Sequence, residues 1–359
     1  MNVFFLYLAA LVLAGLVSAF ATPLICRLAN HIGVIDQLGD ERRVHETPTP
    51  RIGGVAVYLG FAFALFAVLG IALGGHTHGF FAPCPQRDLT AIRDCFDDRF
   101  SDVHNFLGLL FGSILILGVG LWDDIMQMRP RNKFSAQIVV ALISMIYGFV
   151  IKDVQNPFTH QYVEFPIWIG VPITLVWYLG MMNAINFIDG LDGLLAGVTG
   201  ISSIFLFAIA LIHGNAVVAL VVIALAGAVL GFLPYNFNPA KIFLGDAGSL
   251  FIGFVFATVS IMGASKTAIS ISLLVPLIVL ALPILDTAAA IFRRARSGKR
   301  ITDADRGHFH HQLLFRYGLN VRQAVLLIYA VCFLLGAVAY VLAGGLHPFT
   351  HLASTGLDR

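Results

Sequence analysis

Two asparagines and two aspartates stand at the end of a long apolar run. They are Asn183, Asn186, Asp189 and Asp192, and a glycine follows each aspartate. Polar residues at the edge of hydrocarbon are functional candidates, because burying them there is costly. Carboxylate and amide oxygens suit Mg²⁺, which usually keeps waters and substrate phosphates as further ligands. The segment therefore predicts a magnesium site; the structural alternative is a polar loop between two helices.

A second acidic group, Asp123-Asp124, ends another apolar run. Adjacent carboxylates repel each other, so the pair is costly without a cation nearby. Arg131 and Lys133 follow within ten residues. The alternative interpretation is an ordinary helix end whose charged side chains reach into the headgroup region.

A glycine-rich turn, Gly245-Asp246-Ala247-Gly248-Ser249, precedes a further apolar segment. Free N–H groups and the helix dipole make such a helix start a site for anions. Because Asp246 itself would repel a phosphate, we interpret it as a metal ligand that brings the phosphate in. The alternative is a helix cap formed by Asp246 and Ser249.

A basic, histidine-containing segment covers residues 293–321 and includes His308, His310 and His311. Three histidines in four residues are also typical of zinc sites, but no cysteine accompanies them. Phosphate or diphosphate binding by arginine and histidine donors is the preferred interpretation. Arg51 and the glycine pair after it give a softer signal on the same side of the membrane, and Asp286 is expected to be a packed, paired carboxylate.

The composition indicates a polytopic membrane protein: 58% of residues are hydrophobic, 12% are charged, and the mean hydropathy is +0.87. Soluble domains carry about 25% charged residues. A span needs about 20 apolar residues. Ten segments qualify, at 2–25, 53–74, 105–122, 134–151, 165–188, 194–212, 216–234, 249–264, 268–292 and 322–344. We predict an all-α, polytopic fold in which residues 1–359 form a single membrane-embedded domain.

The distribution of basic residues predicts the orientation. With both termini outside, 16 of the 22 lysines and arginines, and all four polar groups, lie on the cytoplasmic side. Residues 75–104 then form an outward loop, in which an oxidising exterior permits a Cys84–Cys95 disulfide. Residues 293–321 form the large cytoplasmic loop.

Metal-binding carboxylates and phosphate-binding cations at a membrane–cytosol boundary indicate phosphoryl transfer between a soluble nucleotide and a lipid. Positioning and charge neutralisation supply most of the catalysis in such reactions. A transporter of cations or phosphate is the rival class, but its carboxylates would tend to lie near the bilayer midplane. No nucleic-acid partner is expected.

The sequence resembles the polyprenyl-phosphate N-acetylhexosamine-1-phosphate transferases, of the glycosyltransferase family 4 type, from about residue 20 to residue 325. Four motifs occur in the order Asp123-Asp124, Asn183-x-x-Asn186-x-x-Asp189-Gly-Leu-Asp192-Gly-Leu, Gly245-Asp246-x-Gly248-Ser249 and His308-x-His310-His311. The last motif is similar to that of the WecA/TagO-type branch. The MraY branch, which handles the muramoyl-pentapeptide nucleotide, usually has three consecutive histidines, whereas Phe309 interrupts them here.

The resemblance implies that a polyprenyl phosphate, with undecaprenyl phosphate as the expected acceptor, attacks the β-phosphorus of a UDP-sugar. UMP then leaves. UDP-N-acetylglucosamine is the expected donor, and a muramoyl-pentapeptide donor is the alternative. The implied setting is the cytoplasmic membrane of a bacterium and the first lipid-linked step of cell-envelope polysaccharide synthesis. The oligomeric state stays open, a homodimer included.

The resemblance also implies roles for individual residues. Asn186 and Asp246 would hold Mg²⁺, for which Mn²⁺ substitutes. The implied catalytic residues are Asp123, Asp124, Lys133, Asp189, Asp192 and His311. The implied substrate-binding residues are Lys133, Asn183, Asp192, Gly245, Ser249, Arg300, His308, His310 and His311.

Overall fold

The computed structural model describes residues 3–36, 48–73, 89–155, 162–264, 281–296 and 309–345. These ranges contain eleven helices, which are α1 Val3–Ile32, α2 Gly54–Leu73, α3 Leu89–Met126, α4 Pro130–Ile146, α5 Ile167–Ile188, α6 Leu194–Ile212, α7 Ala216–Asn236, α8 Gly245–Ala264, α9 Ala281–Arg296, α10 Phe309–Phe315 and α11 Val321–Leu342. Two short antiparallel pairs accompany them: β1 Ile35–Asp36 with β2 Thr49–Pro50, and β3 Asp153–Gln155 with β4 Tyr162–Glu164.

The prediction of an all-α, polytopic membrane protein is confirmed. Within the described ranges, seven helices are long and apolar enough to cross a bilayer. These are Phe4–Ile32, His104–Met126, Ile167–Ile188, Leu194–Ile212, Ala216–Asn236, Gly245–Gly263 and Val321–Leu342.

Of the other three predicted spans, the second, 53–74, coincides with α2 at Gly54–Leu73. Its fully described part, Gly54–Val68, is apolar but shorter than the seven helices above. The fourth was predicted at 134–151, but α4 ends at Ile146 and residues 153–155 are a strand. The ninth, 268–292, lies partly outside the described residues, and α9 covers its second half.

Both predicted loops contain helix. The second half of 75–104 belongs to α3, which begins at Leu89, ahead of the apolar span at His104–Met126. Cys95 therefore lies in α3, whereas Cys84 lies outside the described residues, and the disulfide stays a prediction. Within 293–321, α9 continues to Arg296 and α10 spans Phe309–Phe315.

The surface of α1 shows how the bundle is sorted between lipid and core. Its exposed apolar side chains recur every four residues, at Phe4, Leu8, Val12, Leu16, Phe20, Leu24, Leu28 and Ile32. Residues four apart are neighbours on a helix surface, and a repeat of four winds slowly around the helix. Since such an apolar stripe cannot be left in water without cost, it is the surface that a bilayer would cover.

Helix α8 lies at the centre of the bundle, and 94% of the residues in its most apolar stretch are buried. It packs against α3 and α5, and small residues allow the close approach. A Cβ on Gly120 of α3 would lie 2.5 Å from the Ala247 Cα and from the Asp246 carbonyl oxygen. The first turn of α8 is thereby held against the C-terminal end of α3.

Candidate active site

The first turn of α8 is capped by a carboxylate from α3. Asp124 Oδ1 accepts the Asp246 N–H, and Asp124 Oδ2 accepts the Ala247 N–H, both at 2.9 Å. Gly245 has φ +75°, and a Cβ there would lie 1.8 Å from the Arg51 carbonyl oxygen. Only glycine fits this position, because it tolerates positive φ and has no side chain.

This cap corrects the prediction for Gly245-Asp246. The N–H groups of Asp246 and Ala247 were expected to be free for a phosphate, but the Asp124 carboxylate occupies them. Asp124 is only 4% exposed. Its geometry favours a role in positioning α8 over direct contact with a substrate, and Gly245 contributes the turn that makes room for it.

Lys133, in the first turn of α4, bridges two carboxylates. Its Nζ lies 2.9 Å from Asp123 Oδ2 and 3.0 Å from Asp246 Oδ1. Burial alone would lower the pKa of Lys133, but Asp246 and Asp123 outweigh it and raise that pKa. Lys133 therefore stays charged at neutral pH and joins the ends of α3 and α8.

Asn186, near the end of α5, faces the same carboxylate. Its Nδ2 donates to Asp246 Oδ1, and to Ser249 Oγ at 2.8 Å. Ser249 is fully buried and donates its hydroxyl hydrogen to the Gly245 carbonyl oxygen at 3.0 Å. Ser249 thus holds the Asn186 amide beside Asp246, and its predicted contact with substrate stays a prediction.

Asp189 follows Asn186 by one helical turn and is half-buried. Its pKa is raised to about 8, mainly by burial and then by the charges of Asp246 and Asp124, while Arg51 opposes the rise. These influences place Asp189 in the electrostatic field of the α8 carboxylate, and its predicted catalytic role stays a prediction.

The Asp192 side chain contacts a different segment, the connection between α7 and α8. Its Oδ2 accepts hydrogen bonds from Asn238 Nδ2 at 2.9 Å and from the Ala240 N–H at 3.0 Å, and the residue is 4% exposed. Asp192 thus anchors the connection between α7 and α8. This contact accounts for its burial, and its predicted contact with nucleotide or metal stays a prediction.

Asn183 likewise makes protein contacts. Its Nδ2 donates to Gln137 Oε1 at 2.7 Å and to the Leu179 carbonyl oxygen at 2.8 Å. The first bond ties α5 to α4, the helix that carries Lys133. Gln137 is fully buried and was not singled out from the sequence.

The predicted cytoplasmic cations cannot be placed in the site. Arg300 and His308 lie outside the described residues. For His310 and His311 only the backbone is described, as part of α10. Their predicted contacts with phosphate stay predictions.

Arg51 is the cation that the sequence analysis left without a role. Its guanidinium lies 3.4 Å from Asp124 Oδ1, 3.7 Å from Asp36 Oδ1 and 3.9 Å from Asp246 Oδ2. A basic residue two positions before a glycine pair, at a span boundary, was the available signal. Which acidic groups it would meet depends on packing between distant segments.

These groups form what we call the carboxylate cluster: Asp36, Asp123, Asp124, Asp189 and Asp246, with the cations Arg51 and Lys133. Five carboxylates face two cations, so the fully ionised cluster carries three excess negative charges. One divalent cation would neutralise most of this excess.

The donors present fit Mg²⁺. Among the described residues, no group of three acidic, histidine or cysteine side chains is arranged to hold a metal ion by itself. Asp246 and Asn186 could supply two protein ligands; Asn186 would do so through Oδ1, with its amide in the opposite orientation. Mg²⁺ is commonly bound by one or two carboxylates, with waters and substrate phosphates completing the shell.

Comparison with known proteins shows which family the chain belongs to. Residues 106–264 match glycosyl transferase family 4. A Bacillus subtilis relative, described as a probable undecaprenyl-phosphate N-acetylglucosaminyl 1-phosphate transferase, is 34% identical over 93% of this chain and 84% of its own length. The chain belongs to glycosyl transferase family 4.

Two further family 4 relatives show the same kind of description. A Mycobacterium tuberculosis H37Rv protein described as decaprenyl-phosphate N-acetylglucosaminephosphotransferase is 34% identical over 88% of this chain and 77% of the relative. An Escherichia coli K12 protein described as undecaprenyl-phosphate alpha-N-acetylglucosaminyl 1-phosphate transferase is 26% identical over 87% of this chain and 77% of the relative. The predicted resemblance is confirmed.

Proposed function

We propose that this protein transfers N-acetylglucosamine-1-phosphate from UDP-N-acetylglucosamine to a polyprenyl phosphate, with undecaprenyl phosphate as the expected acceptor. The products are a polyprenyl-diphosphate-sugar and UMP. The descriptions of the family 4 relatives support a polyprenyl-phosphate sugar-1-phosphate transferase. The observation that carries the proposal is the Lys133 ammonium, held between Asp123 and Asp246 at the ends of two apolar helices.

The reaction forms one P–O bond and breaks one. An oxygen of the lipid phosphate attacks the β-phosphorus, and the bond from that phosphorus to the bridging oxygen of UMP breaks. A phosphate monoester has a second pKa of about 6, so the nucleophile is largely a dianion at pH 7. Removing a proton is thus a small part of the barrier, and the carboxylates need not act as bases.

The chain's own residues supply position and charge. Lys133 is charged and lies between Asp123 and Asp246, where it can also bind phosphate oxygens of either substrate. Asp246 and Asn186 would hold Mg²⁺, which supplies charge neutralisation on the donor diphosphate when bound. Preorganised charges of this kind act where negative charge develops, and they cost no reorganisation during the reaction.

Three exposed aromatic side chains support access for the lipid from the side. Trp122 is 61% exposed, Phe134 47% and Phe187 37%, and each is the chain neighbour of Asp123, Lys133 or Asn186. Apolar surface beside a charged cluster suits a substrate with a phosphate head and an isoprenoid tail. This arrangement belongs to the proposal that the tail reaches the site from the bilayer.

The proposed location is the cytoplasmic membrane of a bacterium, with both termini outside and the site open to the cytoplasm. The excess of basic residues on that side supports this orientation. The proposed product would begin a lipid-linked step of cell-envelope polysaccharide synthesis.

The test is an assay of the purified protein with undecaprenyl phosphate and a panel of nucleotide sugars. We expect UMP and a lipid-diphosphate-sugar with UDP-N-acetylglucosamine, and loss of both in EDTA with recovery in Mg²⁺ or Mn²⁺. The Lys133→Gln protein is the matched negative control. Turnover of the muramoyl-pentapeptide nucleotide alone would move the protein to the other branch, and absence of UMP with every donor would refute the proposal.

A further inference from the structure

Arg51 contacts carboxylates from three separate elements. Asp36 belongs to β1, Asp124 to the end of α3 and Asp246 to the start of α8. The Arg51 side chain is 24% exposed, whereas that of Asp124 is fully buried. In this part of the described structure, Arg51 is the cation that faces Asp124.

The backbone holds Arg51 in this place. The Phe243 N–H donates to the Pro50 carbonyl oxygen at 2.7 Å, and the Gly53 N–H donates to the Phe243 carbonyl oxygen at 2.9 Å. Gly245, two residues after Phe243, packs directly against the Arg51 carbonyl oxygen. The segment that presents Arg51 is therefore fixed against the segment that presents Asp246.

Arg51 and Lys133 approach different oxygens of Asp246. Lys133 Nζ lies 3.0 Å from Oδ1, which also accepts the Asn186 amide. Arg51 Nη2 faces Oδ2 at 3.9 Å, beyond hydrogen-bond distance. Arg51 thus meets Oδ2 through a charge–charge contact, whereas Oδ1 carries the closer Lys133 and Asn186 contacts. Oδ2 is therefore the Asp246 oxygen that an incoming cation can take without displacing Lys133 or Asn186.

We propose that Arg51 is a positioning residue that neutralises Asp124 and Asp246 when no divalent cation is bound. Arg51 keeps the two carboxylates in place and yields Asp246 Oδ2 to the cation when it arrives. Two cations that share one carboxylate weaken each other's binding, so Arg51 lowers the affinity of the site for the metal while making the metal-free site stable. The inference rests on the proposed metal site at Asp246.

The test compares Arg51→Gln with wild type, and uses Arg129→Gln as the control because Arg129 is an exposed arginine on the connection between α3 and α4. Thermal unfolding in detergent is measured in EDTA and in Mg²⁺, and Mn²⁺ binding is measured by electron paramagnetic resonance. We expect Arg51→Gln to unfold several degrees lower in EDTA and to regain more in Mg²⁺ than wild type does. Mn²⁺ should bind on the order of tenfold more tightly, since a neighbouring charge of the same sign is gone.

A loss of thermal stability that is equal in EDTA and in Mg²⁺ would overturn the inference, because it indicates packing alone. Weaker or unchanged Mn²⁺ binding by Arg51→Gln would overturn it as well. If Arg51→Gln does not fold, Arg51→Lys decides: its amine cannot reach all three carboxylates, so a larger Mg²⁺ response than wild type supports the inference and an equal response refutes it. UMP release by wild type is scored separately, so failure of the proposed reaction is distinguishable from failure of the Arg51 inference.

Discussion

Replacing Asp124 tests whether the two adjacent aspartates have separate tasks. In the structure, Asp124 accepts two backbone N–H groups of α8 and lies 3.4 Å from Arg51, whereas Asp123 faces Lys133. Asp124→Ala leaves the buried Ala247 N–H and the half-buried Asp246 N–H without an acceptor. Each such group costs about 1–3 kcal/mol, so we expect a loss of about 2–6 kcal/mol in the free energy of unfolding. Asp124→Asn keeps one acceptor oxygen and should lose about half as much.

Asp123→Asn is the matched comparison. Asp123 accepts the Met128 N–H at 2.7 Å and pairs with Lys133, and an asparagine oxygen can keep one of these contacts. We expect its unfolding free energy to fall by only about 1 kcal/mol. Its rate of UMP release should nevertheless fall strongly, so that activity is lost in a protein that is still folded.

The assay pairs denaturant unfolding in mild detergent with UMP release at saturating donor. Asp124 variants should lose stability and rate together, because a displaced α8 start also displaces Asp246. Equal unfolding free energies for Asp124→Ala and wild type would refute the capping role. Indistinguishable stability and rate losses for Asp123→Asn and Asp124→Asn would refute the division between them.

Three more predictions follow from the same geometry. Asp246→Asn should lower the rate of UMP release by at least about 10²-fold, the scale of one lost electrostatic group, and a rate within threefold of wild type would contradict the metal role. The folded-state pKa of Asp189 is raised to about 8, so between its ordinary value and pH 8 the folded protein binds a proton that the unfolded chain does not. The stability of the metal-free protein should therefore fall as pH rises from about 5 to 8, and Asp189→Asn should flatten that slope in EDTA; an unchanged slope would show that other groups cause it. Reporter fusions should read outside after residue 90 and inside after residues 128, 190 and 303, and an outside signal after residue 190 would contradict both the orientation and the use of a cytosolic nucleotide.

The membrane class and the general place of the site could be read from the sequence. Long apolar runs exclude a soluble fold, because so much apolar surface cannot be covered in water. Polar groups at the ends of those runs mark helix ends, and helix ends on one side of a membrane are brought to a common level. This is why Asp123, Asp189 and Asp246 were predicted on one side and are found in the carboxylate cluster, with Asn186 hydrogen-bonded to Asp246.

The division of labour within the cluster could not be read from the sequence. Asp123 and Asp124 are adjacent in the chain, but successive helix positions point about 100° apart, so one meets Lys133 and the other meets the start of α8. Asp192 matches the same motif as Asp189 and yet turns to the loop at 238–240. Sequence spacing gives the order of side chains along a helix, and only the neighbouring helices determine which of them is buried as a cap.

The sequence by itself determined the chemical inventory: oxygen donors, a lysine and glycine turns at the ends of apolar helices. The tertiary structure decided which donors meet, and it brought Arg51 to Asp124 across more than seventy residues of chain. The physical reason is that hydrophobic burial is non-directional and selects only which faces pack together. Hydrogen bonds are directional and ion pairs require close approach, so which of them form depends on how α2, α3 and α8 pack against one another.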